Sequence, residues 1–311
     1  MRLSTHGCEG ARVDKEQQSL SLGAASRPRK IDLQFVFGAT VALLMIFLAA
    51  FGPLLAPYDP FAATGKVGLP PPPLADWPQL LWASLRGDLV EAPHWFGTDF
   101  YGLDVFSRVI AAPRTDLTIA LSGAVLSMIL GTGLGVLVAC YRNWWSEVLM
   151  RFSDVLQSFP VFIVAMVLVA LAGRQTGNII LALCLVYTPI FLRLTRAEAL
   201  GQVTRGYVEA ARISGGSSAY IALRHVLPNS LGPSLIQLSV TVGFAIILTA
   251  GLSFVGAGVQ PPTPEWGLMI SQGAGDLNYG WWWTSLFPGL AISITVFGFA
   301  VLGQAAETRL Q

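Results

Sequence analysis

Charge is scarce in this sequence: 12% of its residues are Asp, Glu, Lys or Arg, against 53% that are hydrophobic. Soluble domains carry about 25% charge, so such a chain cannot hide its apolar surface by folding as an ordinary globule. Lipid must be the solvent for much of it. A net charge of +1 with scattered basic residues excludes nucleic acid as a ligand. Cysteine is equally sparse. Cys8, Cys140 and Cys184 stand far apart with no CxxC or His-rich spacing, which implies neither a disulfide framework nor a metal site.

Catalytic motifs are missing too. No GxxxxGK(S/T) occurs, and Gly65-Lys66 is followed by Val67, so the chain does not cradle ATP phosphates itself. Gly131, Gly133 and Gly135 form GxGxG inside an apolar run, where Gly131 and Gly135 read as a small-residue helix contact. Gly251 to Gly256 misses the GxSxG elbow by one residue, and no His lies in an apolar run to activate Ser253. Ser253 is expected to pack or bend a helix. His94 with Asp99 and Asp104 has cation-ligand chemistry, but His6 and His225 fall on the opposite side of the membrane, and a loop-anchoring hydrogen bond is the expectation for His94. No catalytic residue, cofactor or metal is expected.

What is present is a series of long apolar windows. Six approach the roughly 20 residues a helix needs to span a bilayer: 33–56, 117–140, 155–172, 178–192, 231–259 and 284–304. The third and fourth are short and interrupted by Pro160 and Pro189. With the brief link Gly173 to Asn178 they read as a tight helical hairpin, or alternatively as a re-entrant pair. Residues 1–32 are polar, without the apolar core of a signal peptide, and read as a cytoplasmic tail. The division expected is tail 1–32, first span 33–56, outer loop 57–116, and a core 117–311 with five spans and an inner loop 196–230.

Orientation follows from Lys and Arg, which are costly to move across the membrane during insertion. With the N-terminus inside, the inner segments hold fourteen: six in the tail, then Arg142, Arg151, Arg193, Arg196, Arg205, Arg212, Arg224 and Arg309. The outer segments hold five: Lys66, Arg86, Arg108, Arg114 and Arg174. Both termini are therefore expected inside, with Trp281, Trp282 and Trp283 at the outer interface and Trp144 and Trp145 at the inner one. No Asp, Glu, Lys, Arg or His lies within the six windows. Ion-coupled carriers and voltage sensors usually need such groups, so energy for any uphill step is expected to enter elsewhere.

The inner stretch from Tyr207 to Asn229 parses as two short helices. The first runs from about Thr204 to Ser214 and stops at Gly215-Gly216, where a left-handed cap is sterically free. Ser217 or Ser218 caps the second, whose Tyr220, Leu223 and Leu227 form one apolar stripe before Pro228 ends it. Ala210 and Ala211 beside Glu209 leave room for a partner groove to approach the backbone. On periodicity alone, the segment reads first as an amphipathic linker on the headgroups.

Glu209-Ala210-Ala211, Gly215 and Leu227-Pro228 resemble the Glu-Ala-Ala loop of ABC-importer permeases, spacing included. Further segments agree: His94 to Asp99 with Gly102, Asp104 and Ser107-Arg108, then Asp154, Phe159-Pro160, Tyr207-Val208, and the run Leu252 to Gly267. Together they resemble the dipeptide, oligopeptide and nickel permease subfamily and its second permease subunit. Leu103 stands where that family usually has Arg, Glu147 replaces a common Asp, and Asp76 to Val90 reads as an insertion.

The resemblance implies an all-α polytopic membrane protein with six transmembrane helices in the type I ABC importer permease fold. It implies ATP-driven import of short peptides or related solutes, with nickel chelates and opines as alternatives. The partners implied are a related permease, two cytoplasmic ATPase subunits and an outer substrate-binding protein, and the coupling residues are Glu209, Ala210, Ala211, Gly215, Leu227 and Pro228. Ser122, Thr132, Gln237, Ser239, Thr241 and Thr249 are the polar side chains within the spans that could line a pathway. Ser and Thr also bond their own helix backbone. An ion-coupled carrier and a membrane-embedded hydrolase are the rival readings; uncharged spans oppose the first, and the lack of a catalytic dyad opposes the second.

Overall fold

A computed structural model describes residues 33–86, 91–141 and 143–310. The tail with Cys8, the end of the insertion at 87–90 and Arg142 lie outside the described residues. In chain order, α1 (Leu33–Leu55) leads into a proline-rich segment that carries α2 (Trp77–Arg86). Then come α3 (Val105–Ala111), α4 (Pro113–Cys140), α5 (Trp144–Ser158), α6 (Val161–Ala172) and α7 (Thr176–Val203). Short α8 (Gly206–Ile213) and α9 (Ser218–Ile221) precede α10 (Leu231–Phe254), α11 (Trp266–Asp276) and α12 (Trp283–Leu310). No strand occurs among the described residues; the one β-bridge joins Thr98 and Asp104.

Among the described residues, five helical segments are long and apolar enough to cross a membrane, and a sixth is added if the bent pair α5 and α6 counts as one span. The window 155–172 is therefore not one continuous span. Its first residues finish α5, and the chain bends by 98° before α6 begins. Pro160 explains the break, because proline disfavours helical conformation in the residue before it, and Phe159 is extended at ψ 148°. α6 has 12 residues, a rise of about 18 Å against a hydrocarbon core of about 30 Å. The opposite correction applies to the fourth window. Pro189 lies inside α7, which runs unbroken for 28 residues, so residues 196–203 of the expected inner loop are helix. The fifth span stops at Phe254 rather than 259, ahead of Gly256 in the left-handed region at φ +79°.

The core joins most of these helices through Ile119, Ala124, Val169, Leu183, Ile246 and Phe299. Its most extensive helix pairing is between α4 and α7. Gly123, Ser127, Gly131 and Gly135 recur every four residues, putting one row of small side chains along α4, and all four are buried. A Cβ at Gly131 would lie 2.6 Å from the Phe191 Cβ, and one at Gly135 would lie 2.7 Å from the Leu192 carbonyl oxygen. Beside this seam, Thr195 donates to Thr132 at 3.3 Å and shares a 2.8 Å hydrogen bond with Ser234, tying α4, α7 and α10 together. Without a hydrophobic drive between helices in lipid, such packing and hydrogen bonding hold the bundle.

A bulky side chain at Gly131 should therefore force α4 from α7. Gly131→Leu is expected to lower the thermal unfolding temperature of the purified chain sharply, with a loss of about 1–3 kcal/mol or more from overpacking. Gly133→Ala, which meets no atom within 4 Å, should leave it unchanged in the same melt.

Candidate functional site

At the end of α7 the helix unwinds at Thr204, and Arg205 is extended before α8 starts. α8 closes with both bonds of a Schellman cap. Gly216 N–H donates to the Ala211 carbonyl and Gly215 N–H to that of Arg212, each at 3.0 Å. Gly215 takes φ +83°, which side chains other than glycine's resist. Gly216 is needed for a different reason: a Cβ there would sit 2.8 Å from the Ala211 carbonyl oxygen. Sequence reasoning singled out Gly215, while the close approach at Gly216 required coordinates. Ser217 then caps α9 by accepting from Tyr220 N–H at 3.3 Å.

The pair of helices has an inner and an outer face. Val208, Ile221, Ala222 and Val226 are buried against Val136 and Ala139 of α4 and Ala199 of α7. Glu209, Ala210, Gly215 and Pro228 are exposed, and Ala211 and Leu227 half-buried. The expected stripe of Tyr220, Leu223 and Leu227 does not form the buried face, because Tyr220 and Leu223 point outward. Residues Ala222–Val226 form a π turn, closed by Leu227 N–H donating to the Ala222 carbonyl. That extra residue per turn rotates everything after it relative to a 3.6-residue period. The widening sits just before Pro228, whose ring opposes a regular α turn.

The exposed face also gains Ile213, which is 83% exposed and lies four positions after Glu209, hence on the same side of α8. An isoleucine at the last helical position before the glycine pair was the signal in the sequence. Behind this face, Tyr207 donates to Gln202 at 2.9 Å, and Gln202 donates to Glu198 at 2.8 Å. These bonds tie α8 back to the final turns of α7.

The polar residues within the spans have separate neighbours. Thr132 belongs to the seam described above. Gln237 donates to Thr241 at 3.3 Å, and Ser239 donates to the Phe299 carbonyl at 3.2 Å. Ser122 is half-buried, while Thr249 is buried with its hydroxyl unpartnered. Ser253 accepts from Val259 N–H at 3.2 Å, which fixes the loop after α10.

At the opposite end of α4 lies a second built region. Glu265 caps α11 by accepting from Gly267 and Leu268 N–H at 2.9 and 2.6 Å. Trp266 donates its backbone N–H to Asp116 at 3.3 Å and its indole N–H to the Val109 carbonyl at 3.0 Å. Burial pushes the Glu265 carboxyl above its ordinary range, against the pull of the two N–H donors. Asp104 holds His94 at 2.7 Å and caps α3 through Ser107 N–H at 2.8 Å. His94 thus anchors its loop, stacked on Tyr58 with ring centres 4.4 Å apart. Asp99 accepts from Tyr101 and Leu103 N–H at 2.9 and 2.8 Å, and burial raises its carboxyl too.

Residues 131–311 match the family described as binding-protein-dependent transport system inner membrane component. Among curated relatives, the chain is similar to the di/tripeptide transport system permease protein DppC of Pseudomonas aeruginosa, 36% identical over 273 residues, covering 88% of this chain and 86% of that one. It is 34% identical over 275 residues to the probable D,D-dipeptide transport system permease protein DdpC of Escherichia coli, with 88% and 86% coverage. It is 36% identical over 217 residues to the glutathione transport system permease protein GsiD of Pectobacterium atrosepticum, with 70% and 72% coverage.

The Glu265 cap yields an expectation for stability. Glu265→Ala leaves two buried N–H groups unpaired, so it should destabilise the purified chain by about 1–3 kcal/mol per group. Glu265→Gln, which retains an acceptor oxygen, should recover part of that loss in a denaturant titration.

Proposed function

The chain belongs to the family of binding-protein-dependent transport system inner membrane components, and from that premise we propose that it moves short peptides through a pathway shared with a second, related permease. It is a multi-pass membrane permease subunit of an ABC importer. Two ATPase subunits dock on the inside of the permease pair, where this chain presents Glu209, Ala210 and Ile213, and a substrate-binding protein delivers solute on the opposite side. The tail 1–32 and both termini are cytoplasmic, 57–116 is the outer loop, and 117–311 is the core, with its coupling loop at 204–230, after the end of α7. Ser122, Thr132, Gln237, Ser239, Thr241 and Thr249 are retained as candidates for lining the pathway.

The observation that carries this reading is the two-faced pair α8 and α9. Val208, Ile221 and Val226 are seated on the ends of α4 and α7, while Glu209 and Ala210 face outward. A push on the outer face is therefore delivered to two long helices rather than absorbed by a loose loop. Small side chains at Ala210 and Ala211 let a partner approach closely, and the carboxylate of Glu209 suits a basic group on that partner. The peptide assignment is supported by relatives named for di- and tripeptides, D,D-dipeptides and glutathione. Nickel chelates and opines are the alternative cargo, and the ligand retained by the purified binding protein of the same system would decide between them.

Gly215 gives the sharpest test of coupling. A Cβ there would meet no atom within 4 Å, so substitution acts through backbone conformation alone, about 1–2 kcal/mol. Gly215→Val is expected to reduce both solute uptake and co-purification of the ATPase subunits at an unchanged membrane level. Gly215→Asn, which tolerates the left-handed region, should retain both. Wild-type uptake and co-purification in Gly215→Val would remove the coupling role.

A further inference from the structure

α5 has two faces of opposite character. Trp144, Val148, Phe152, Val155 and Phe159 are all exposed, recurring every three or four positions as one apolar stripe. Glu147, Arg151 and Asp154 instead border a polar cleft of about 610 Å³ that Arg196 of α7 closes on its far side. Asp154 is already paired with Arg193. Among the described residues, Arg151, Arg196 and Glu147 have no ion-pair partner, and the Arg196 Nε is buried without a hydrogen bond. The cleft therefore offers two uncommitted guanidinium groups and one uncommitted carboxylate.

An apolar crevice of about 180 Å³ lies further along the same helices, lined by Phe152, Leu156, Val164, Leu168, Leu185 and Val186. It occupies the angle of the 98° bend between α5 and α6. The order along α7 is Arg196, then Arg193 paired with Asp154, then Val186 and Leu185. Ten residues from Arg196 to Val186 span about 15 Å, half of a hydrocarbon core about 30 Å thick. When Val186 is near the bilayer midplane, Arg196 is at headgroup level.

We propose that this face binds one aminophospholipid of the phosphatidylethanolamine type. Its phosphate lies between Arg151 and Arg196, its ammonium group meets Glu147, and an acyl chain fills the crevice in the bend. Two guanidinium groups with one carboxylate complement a phosphate and an ammonium on one headgroup, and basic pockets between membrane helices bind lipid heads through this chemistry. A free phosphate would satisfy the arginines and leave both the crevice and Glu147 unanswered. The inference needs only the membrane as solvent; it does not depend on the cargo or on which face is cytoplasmic.

The test is native mass spectrometry of the full chain purified with its partner subunits, incubated with phosphatidylethanolamine, phosphatidylglycerol or inorganic phosphate. Wild type should retain phosphatidylethanolamine. Arg151→Ala with Arg196→Ala should lower the bound fraction about tenfold or more, the effect of losing a charge-assisted phosphate contact. Arg174→Ala, an exposed arginine in the α6–α7 link, should not. Glu147→Gln should narrow the preference for phosphatidylethanolamine over phosphatidylglycerol. Should the double variant fail to assemble, Val164→Trp fills the crevice with both arginines in place and should still expel lipid. Equal lipid retention by these variants would overturn the proposal. So would displacement of lipid from wild type by millimolar inorganic phosphate, or a photocrosslinker at position 151 that labels a partner subunit instead of lipid.

Discussion

The approach of α4 to α7 is the constraint on which the other parts depend. Lipid gives two apolar helices no reason to associate, so contact has to come from shape and from a few hydrogen bonds. The row Gly123, Ser127, Gly131 and Gly135 lets the backbones close in, and the Thr132–Thr195–Ser234 bonds add α10 to the pair. Because the seam continues to the ends of both helices, Val136, Ala139 and Ala199 finish side by side. Those three side chains are the floor on which Val208 rests. If α4 stood away from α7, the α8–α9 pair would have no seat.

The seat explains why this pair is capped so thoroughly. A helix of eight residues, like α8, is too short to be stable alone in water, and it persists here because its ends are closed and one side is buried. The Schellman bonds at Gly215 and Gly216 satisfy its last carbonyls, and Ser217 restarts the chain at a fixed angle. Val208 then turns inward, which leaves Glu209 and Ala210 outward, since neighbouring positions on a helix lie about 100° apart. A two-faced geometry follows from one buried valine and one glycine pair.

Much of this was legible in the sequence, for physical reasons that differ from place to place. Long apolar windows announce helices because lipid leaves the backbone no other partner than itself. The glycine pair and the serine after it announce a cap because few other residues can adopt that conformation. Hydropathy, however, averages over side chains and is blind to direction, so Val155 to Ala172 reads as one window although the chain turns by 98° within it. Pro160 and Pro189 look alike in the sequence. The first follows an extended phenylalanine and ends a helix, whereas the second sits inside α7, and only packing decides between them. The buried face of α9 was misread because Ile221 and Ala222, rather than Tyr220 and Leu223, pack on α4 and α7, and the π turn that follows shifts the phase before Leu227.

Among the described residues, the buried acidic and basic side chains are His94, Asp99, Asp104, Arg108, Asp116, Glu265 and Asp276, in the segment leading into the first turn of α4 and around α11. Their bonds argue for anchoring. Glu265 and Asp104 cap helices, Asp99 and Asp116 accept from backbone N–H groups, and Arg108 donates to the Pro262 carbonyl at 3.3 Å. A carboxylate already committed to backbone donors is poorly placed to pick up and release an ion in each transport cycle, because leaving those donors unpaired is costly. This clamp grips α4 at Asp116, whereas the seat of α8 touches it near the other end, at Val136 and Ala139. Twenty residues of unbroken helix separate Asp116 from Val136, a rod of about 30 Å. A rod fixed to rigid parts at both ends cannot tilt at one without moving the other. On the proposed coupling role, motion delivered to α8 would have a direct mechanical route along α4 to its other end, through a helix that needs no charge of its own along the way.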